Sequence, residues 1–176
     1  TAAFAAGGHP AVSNSEEYDG TTWTAINPIN TARKDFNGAG TLTRGLIFGG
    51  NPTTGTTEEY DGTNWTTVPG TLATARRFGA GAGSGTVALL AGGQTTASTE
   101  EYNSNINAIT QAAWASGGNL NNATRGGAGI GTRDAAIAAG GITGSPAPAG
   151  SGRPGLSEEY NGTSWSNLPT IGRSPT

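Results

Sequence analysis

The string Thr57-Glu58-Glu59-Tyr60-Asp61-Gly62-Thr63-Asn64-Trp65 constrains this chain more than any other, because it recurs. Ser15-Glu16-Glu17-Tyr18-Asp19-Gly20-Thr21-Thr22-Trp23 is nearly the same, and Ser157-Glu158-Glu159-Tyr160-Asn161-Gly162-Thr163-Ser164-Trp165 is a third copy. Thr99-Glu100-Glu101-Tyr102-Asn103 opens a fourth, whose Trp arrives late, at Trp114. All four Tyr, all four Trp and ten of the twelve acidic residues belong to these copies. Self-similarity at a fixed period marks a repeat architecture, in which each unit buries its apolar surface against its neighbours.

Around each copy the chain reads as strands. The second repeat has Gly-rich Phe36-Asn37-Gly38-Ala39-Gly40-Thr41, then apolar Arg44-Gly45-Leu46-Ile47-Phe48 closed by Gly49-Gly50. Thr57 to Tyr60 follows, then an Asp-Gly turn and Asn64-Trp65-Thr66-Thr67-Val68-Pro69. Short runs of β-branched, aromatic and small residues bounded by Gly, Pro, Asn and Thr are the strand signature. No stretch has a helical period with caps. Asp-Gly or Asn-Gly predicts a tight hairpin with positive φ at both central residues.

Four strands are expected per repeat, over approximately residues 1–30, 31–70, 71–120 and 121–176, the first lacking its opening strand. Because Thr1-Ala2-Ala3-Phe4 reads as mid-repeat and Met is absent, the chain is expected to be a piece of something longer. A period of about 42–50 residues with four antiparallel strands matches a propeller blade. The apolar second strand suits a position covered on both faces. The Gly-Ala-Gly strand suits the innermost position, where only small side chains fit.

Gly-Gly after an apolar strand, a Tyr in the third strand, a Trp about five residues later, then Arg before the next Gly-rich strand resemble the kelch repeat along the whole chain. The resemblance implies an all-β, kelch-type β-propeller of four-stranded antiparallel blades, with four repeats visible. A closed four-blade ring and part of a larger ring are both open, and the missing Gly-rich first strand of the first repeat favours a larger propeller of about five to eight blades. The variant Glu-Glu-Tyr-Asp/Asn-Gly-Thr-x-Trp, with Thr31-Ala32-Arg33 and Thr74-Ala75-Arg76, is similar to repeats in bacteriophage structural and tail proteins, notably of the cyanophage type. That style implies a virion component, partnered by other virion proteins or the host surface. The alternative is a secreted or cell-surface propeller binding glycans. Either setting is compatible with an oligomer.

Paired carboxylates suggest general acid/base work or a metal site. Their recurrence in every repeat favours a structural role, and adjacent strand residues point to opposite faces. The recurring Arg33, Arg76, Arg125 and Arg173 precede the first strand of a unit. Each is expected to cross the bare Gly-Gly backbone to one Glu of the pairs Glu16/Glu17, Glu58/Glu59, Glu100/Glu101 and Glu158/Glu159. Tyr18, Tyr60, Tyr102, Tyr160 and Trp23, Trp65, Trp114, Trp165 are expected to pack between units, although such rings also stack on sugars and bases.

No catalytic, cofactor or metal residues are expected. His9 is the single His and there is no Cys, so neither a catalytic triad nor a His/Cys metal cluster can be drawn. Gly79-Ala80-Gly81-Ala82-Gly83 lacks the Lys-Ser/Thr of a phosphate loop. A net charge of −3 without a basic stripe gives no expectation of nucleic acid. No apolar run approaches the roughly 18 residues of a membrane span. Two loops break the repetition, Asn103 to Ala113 and Ile142 to Leu156. The second, with Pro146, Pro148, Arg153 and Pro154, is the better candidate contact surface, since loops on a rigid scaffold carry function.

Overall fold

The computed structural model describes residues 2–94, 96–104, 113–143 and 155–169. The chain is all-β, with no helix among the described residues. Sheet I consists of β1 (Ala3–Ala6), β2 (Ser15–Tyr18) and β3 (Trp23–Ile26). Sheet II is β4 (Asn37–Thr41), β5 (Arg44–Phe48), β6 (Thr57–Tyr60) and β7 (Trp65–Val68). Sheet III is β8 (Ala80–Gly83), β9 (Val87–Ala91), β10 (Thr99–Asn103) and β11 (Ala113–Ser116). A two-stranded ribbon, β12 (Thr124–Arg125) with β15 (Ile142–Thr143), accompanies sheet IV. That sheet holds β13 (Ala128–Thr132), β14 (Ala135–Ala139), β16 (Ser157–Tyr160) and β17 (Trp165–Leu168). Each of the four sheets is an antiparallel meander in chain order.

The second strand of a unit is covered on both faces because a neighbouring sheet lies on each side. Leu46, Ile47 and Phe48 are all buried. Ile47 packs with Phe4, Tyr60 and Trp65 toward sheet I. Leu46 and Phe48 pack with Ala88, Leu90 and Tyr102 toward sheet III. Leu89 and Ala91 do the same with Ala136, Tyr160 and Trp165 of sheet IV. The core is thus three inter-sheet layers rather than one centre.

Small side chains are needed where the first strands converge. β8 lies against β4 on one side and β13 on the other. A Cβ on Gly129 would sit 2.6 Å from the Gly81 carbonyl oxygen, and one on Gly81 would sit 2.9 Å from the Asn37 Cβ. Backbone also ties successive sheets: Gly8 N donates to Arg33 O (3.1 Å), Gly50 N to Arg76 O (3.0 Å) and Gly93 N to Thr124 O (2.9 Å).

The hairpin between third and fourth strands differs from the expected two-residue turn. β6 ends at Tyr60 and β7 starts at Trp65, leaving the four-residue loop Asp61 to Asn64, in which Gly62 alone takes a positive φ, 93°. The Asp61 carboxylate accepts the N–H groups of Asn64 (2.7 Å) and Thr63 (2.8 Å), which replaces a backbone turn by a side-chain one. The same bonds hold its carboxyl below the usual range, Asn64 contributing most. The Asp19 carboxylate accepts the N–H groups of Thr22 and Thr21 in the same way, and the Asn161 amide oxygen accepts those of Ser164 and Thr163.

Candidate functional site

The repeated Glu-Glu-Tyr places two carboxylates side by side in sequence and on opposite faces in space. The first of each pair turns into a clasp within its own sheet. Glu58, fully buried, accepts the backbone N–H of Asn30 (2.7 Å) and of Thr31 (3.2 Å) and pairs with the guanidinium of Arg33. Arg33, also fully buried, donates from Nη1 to the carbonyls of Thr56 (3.0 Å) and Gly49 (3.2 Å). Sheet III repeats this: Glu100 accepts Ala73 N (2.7 Å) and Thr74 N (3.4 Å) and pairs with Arg76. The guanidinium runs over the Gly-Gly end of the second strand, where a Cβ on Gly50 would lie 3.4 Å from the Arg33 Cδ.

Sheet IV departs from the pattern. Asn121-Asn122-Ala123-Thr124 occupies the register of Asn30-Thr31-Ala32-Arg33, so Thr124 stands where the arginine stands elsewhere and Arg125 is displaced by one residue. Glu158 is held instead by Asn121 N (2.7 Å), Asn122 N (3.0 Å) and both asparagine amides (2.9 and 3.2 Å). Among the described residues no ion pair joins Arg125 to Glu158. Arg125 lies instead in β12, opposite Ile142.

The second glutamate of each pair binds the next sheet. Tyr60 OH donates to Glu17 (2.7 Å), Tyr102 OH to Glu59 (2.7 Å) and Tyr160 OH to Glu101 (2.6 Å). Burial first, then the Glu17 carboxylate, push the Tyr60 phenol up to about 12. Tyr160 is pushed up to about 12 by burial and Glu101, and Tyr102 is raised by burial and Glu59. Each Tyr also stacks on the Trp of its own sheet, as Tyr60 does on Trp65 at 5.0 Å. Trp114 and Trp165 donate from Nε1 to Thr57 and Thr99 of the preceding sheet, both at 3.1 Å. Trp65 Nε1 and Ser15 Oγ hold the same repeat positions, and both are buried without a hydrogen-bond partner.

At the two ends the same residues are free of these links among the described residues. Glu16, Glu159 and Trp23 are exposed, and Tyr18 OH donates to its own turn at Gly20 O (2.9 Å). Ile137, which holds the position of Leu46 and Leu89, is 40% exposed at the far face of sheet IV. The sequence missed Asn121 and Asn122 and the between-sheet partner of each tyrosine. The signal for the asparagines was present in the shared position of Asn30 and Asn121. Arg173, Pro146, Pro148, Arg153 and Pro154 lie outside the described residues, as does most of both enlarged loops.

No group of three or more His, Cys, Asp or Glu that could hold a metal occurs among the described residues. No helix among them is long and apolar enough to cross a membrane. No protein-family model and no curated protein matches this chain.

Proposed function

We propose that the chain is an arc of a kelch-type β-propeller that serves as a non-enzymatic structural or binding scaffold. The setting proposed is a phage virion, as a tail fibre, tail accessory or capsid-surface protein that joins particle proteins or contacts the host surface. The observation that supports a scaffold is the use of the chemistry-bearing side chains. Glu58 and Glu100 are held in buried clasps, and Glu17, Glu59 and Glu101 each accept a tyrosine of the next sheet. A catalytic constellation would occur once and leave a reacting atom accessible; these links recur and close on themselves. The virion setting is supported by the style of the Glu-Glu-Tyr-Asp/Asn-Gly-Thr-x-Trp repeat.

Quantitative mass spectrometry of purified particles tests this setting, with the chain expected at fixed stoichiometry. Its recovery as a free cytosolic monomer absent from particles would overturn it. One observation favours the glycan-binding alternative: Trp23 is 51% exposed and stacks beside Tyr18 at 5.2 Å, the form of an aromatic platform. Reproducible sugar binding on a glycan array, lost in Trp23→Ala, would select that reading.

A further inference from the structure

A groove of about 380 Å³ runs between sheets I and II, at the end of sheet II that carries the turn from Asp61 to Asn64. Glu17, Ala25, Ile26 and Asn27 line it from sheet I, and Tyr60 and Thr63 from sheet II. Asn27 makes the groove. It stands four residues after Trp23, as Gly118 stands four after Trp114. Between sheets III and IV that glycine lies so close to the facing turn that a Cβ on it would collide with the Thr163 carbonyl. Thr63 holds the position of Thr163 in its own turn. Asn27 reaches the Thr63 carbonyl through its side chain instead, Nδ2 donating at 3.0 Å, and it donates to Asn64 Oδ1 at 3.0 Å as well. The length of an amide side chain thus separates strand from turn, and the space between them is the groove.

The side-chain groups left over in the groove are acceptors, apart from the Thr63 hydroxyl, which can play either part. Both Nδ2 hydrogens of Asn27 are used, so its amide has only the oxygen left to offer. The half-buried Glu17 carboxylate accepts Tyr60 OH on Oε1 at 2.7 Å and makes no ion pair among the described residues. No Lys, Arg or His is among the lining residues. Ile26 and the Tyr60 ring supply the apolar part of the wall.

We propose that this groove binds a primary alkylammonium group, seated between the Glu17 carboxylate and the Asn27 amide oxygen with its carbon chain along Ile26. An ammonium has three donors and no acceptor, the complement of an acceptor-lined site. A guanidinium matches less well, because its fork takes both oxygens of a carboxylate and Tyr60 already holds Oε1. A neutral hydroxyl would leave the Glu17 charge without a counterpart. The single lysine of the sequence, Lys34, is bridged to Asn51 at the opposite end of sheet II, away from the groove. The ammonium therefore comes from another molecule, as a lysine side chain or a free polyamine. The inference rests on the groove and stands whether or not the proposed virion setting does.

The test titrates the isotopically labelled full chain with Nα-acetyl-lysine methylamide, with spermidine and with the neutral Nα-acetyl-norleucine methylamide, followed by amide NMR shifts. Saturable shifts at Glu17, Ala25, Asn27 and Thr63 are expected with the two amines and none with the norleucine compound. Affinity should fall at least about tenfold in Glu17→Gln, whose amide oxygen still accepts Tyr60 OH. Asn27→Gly should abolish binding by letting the turn close on the strand, as it does at Gly118. Ala25→Lys, at an exposed position, should abolish it by supplying an ammonium from the chain itself. Unchanged shifts away from the groove show that each variant is folded. Tighter binding of the lysine compound names a protein side chain as the source and tighter binding of spermidine a free polyamine; either supports the site. Three results would overturn the proposal: no saturation at millimolar amine, affinity indifferent to Glu17→Gln, or equal binding of the norleucine compound or of a neutral sugar such as galactose at the same amides.

Discussion

Replacing Arg33 by Met removes the guanidinium from a fully buried carboxylate and keeps most of the side-chain volume. Glu58 would retain only the N–H groups of Asn30 and Thr31. The Gly49 carbonyl would lose its donor, while Thr56 O still accepts from Gly49 N at 3.2 Å. Breaking one partner of a buried ion pair costs about 3–5 kcal/mol, and the orphaned carbonyl adds about 1 kcal/mol. We therefore expect Arg33→Met to destabilise by about 4–6 kcal/mol. Glu58→Gln removes the charge that needs compensation, so the double variant should cost at least about 2 kcal/mol less than the sum of the single ones. Urea unfolding followed by tryptophan fluorescence reads this as a midpoint shift at unchanged slope. Urea is preferred to guanidinium because it does not screen charge. A loss below about 1 kcal/mol for Arg33→Met, or additive single effects, would refute the clasp as a stabilising unit.

Gly49→Ala should cost about 3 kcal/mol or more, since φ is 70° and the new Cβ would sit 2.5 Å from Arg76 O. Gly126→Ala, at φ 69° with nothing within 4 Å, should cost only about 1 kcal/mol; equal midpoints in thermal melts would contradict the difference. Leu46→Ala should lose about 2–5 kcal/mol in the same melts. Ile137→Ala, at the 40% exposed counterpart, should lose about 1 kcal/mol or less. Because Tyr60 and Tyr160 are held near 12 when folded and titrate near 10 when unfolded, their contribution is complete below about pH 10 and is lost as pH rises toward 12. Urea midpoints should fall across that window, and fall less steeply in Tyr60→Phe/Tyr160→Phe.

The strands and their grouping were legible because turn residues and apolar runs recur at fixed offsets. The divergence of Glu58 from Glu59 was legible too, since it follows from the pleat alone. The tyrosine partners were not. Tyr102 meets Glu59 only once sheet III is set against sheet II, and that relative placement is fixed by packing at Leu46, Phe48 and Leu90, not by any local spacing. The hairpin turn was misjudged because Asp61 uses its side chain to bind two N–H groups, which Asp-Gly as a dipeptide does not reveal. At the fourth unit the lead-in keeps its length, but Thr124 takes the arginine position and Arg125 lies one residue nearer the strand, out of register. Counting back from the strand glycine, Gly129, would have placed Thr124 at the arginine position.

The central claim is that the recurring tyrosine–glutamate links of the repeat hold neighbouring sheets together. The most direct measurement is a double-mutant cycle of Tyr102→Phe and Glu59→Ala, the link between sheets II and III, read as unfolding free energy. A hydrogen bond to a charged group predicts a coupling of about 1.5–3 kcal/mol. A coupling below about 0.5 kcal/mol would contradict the claim, because it would leave the buried tyrosine and its carboxylate without a structural task.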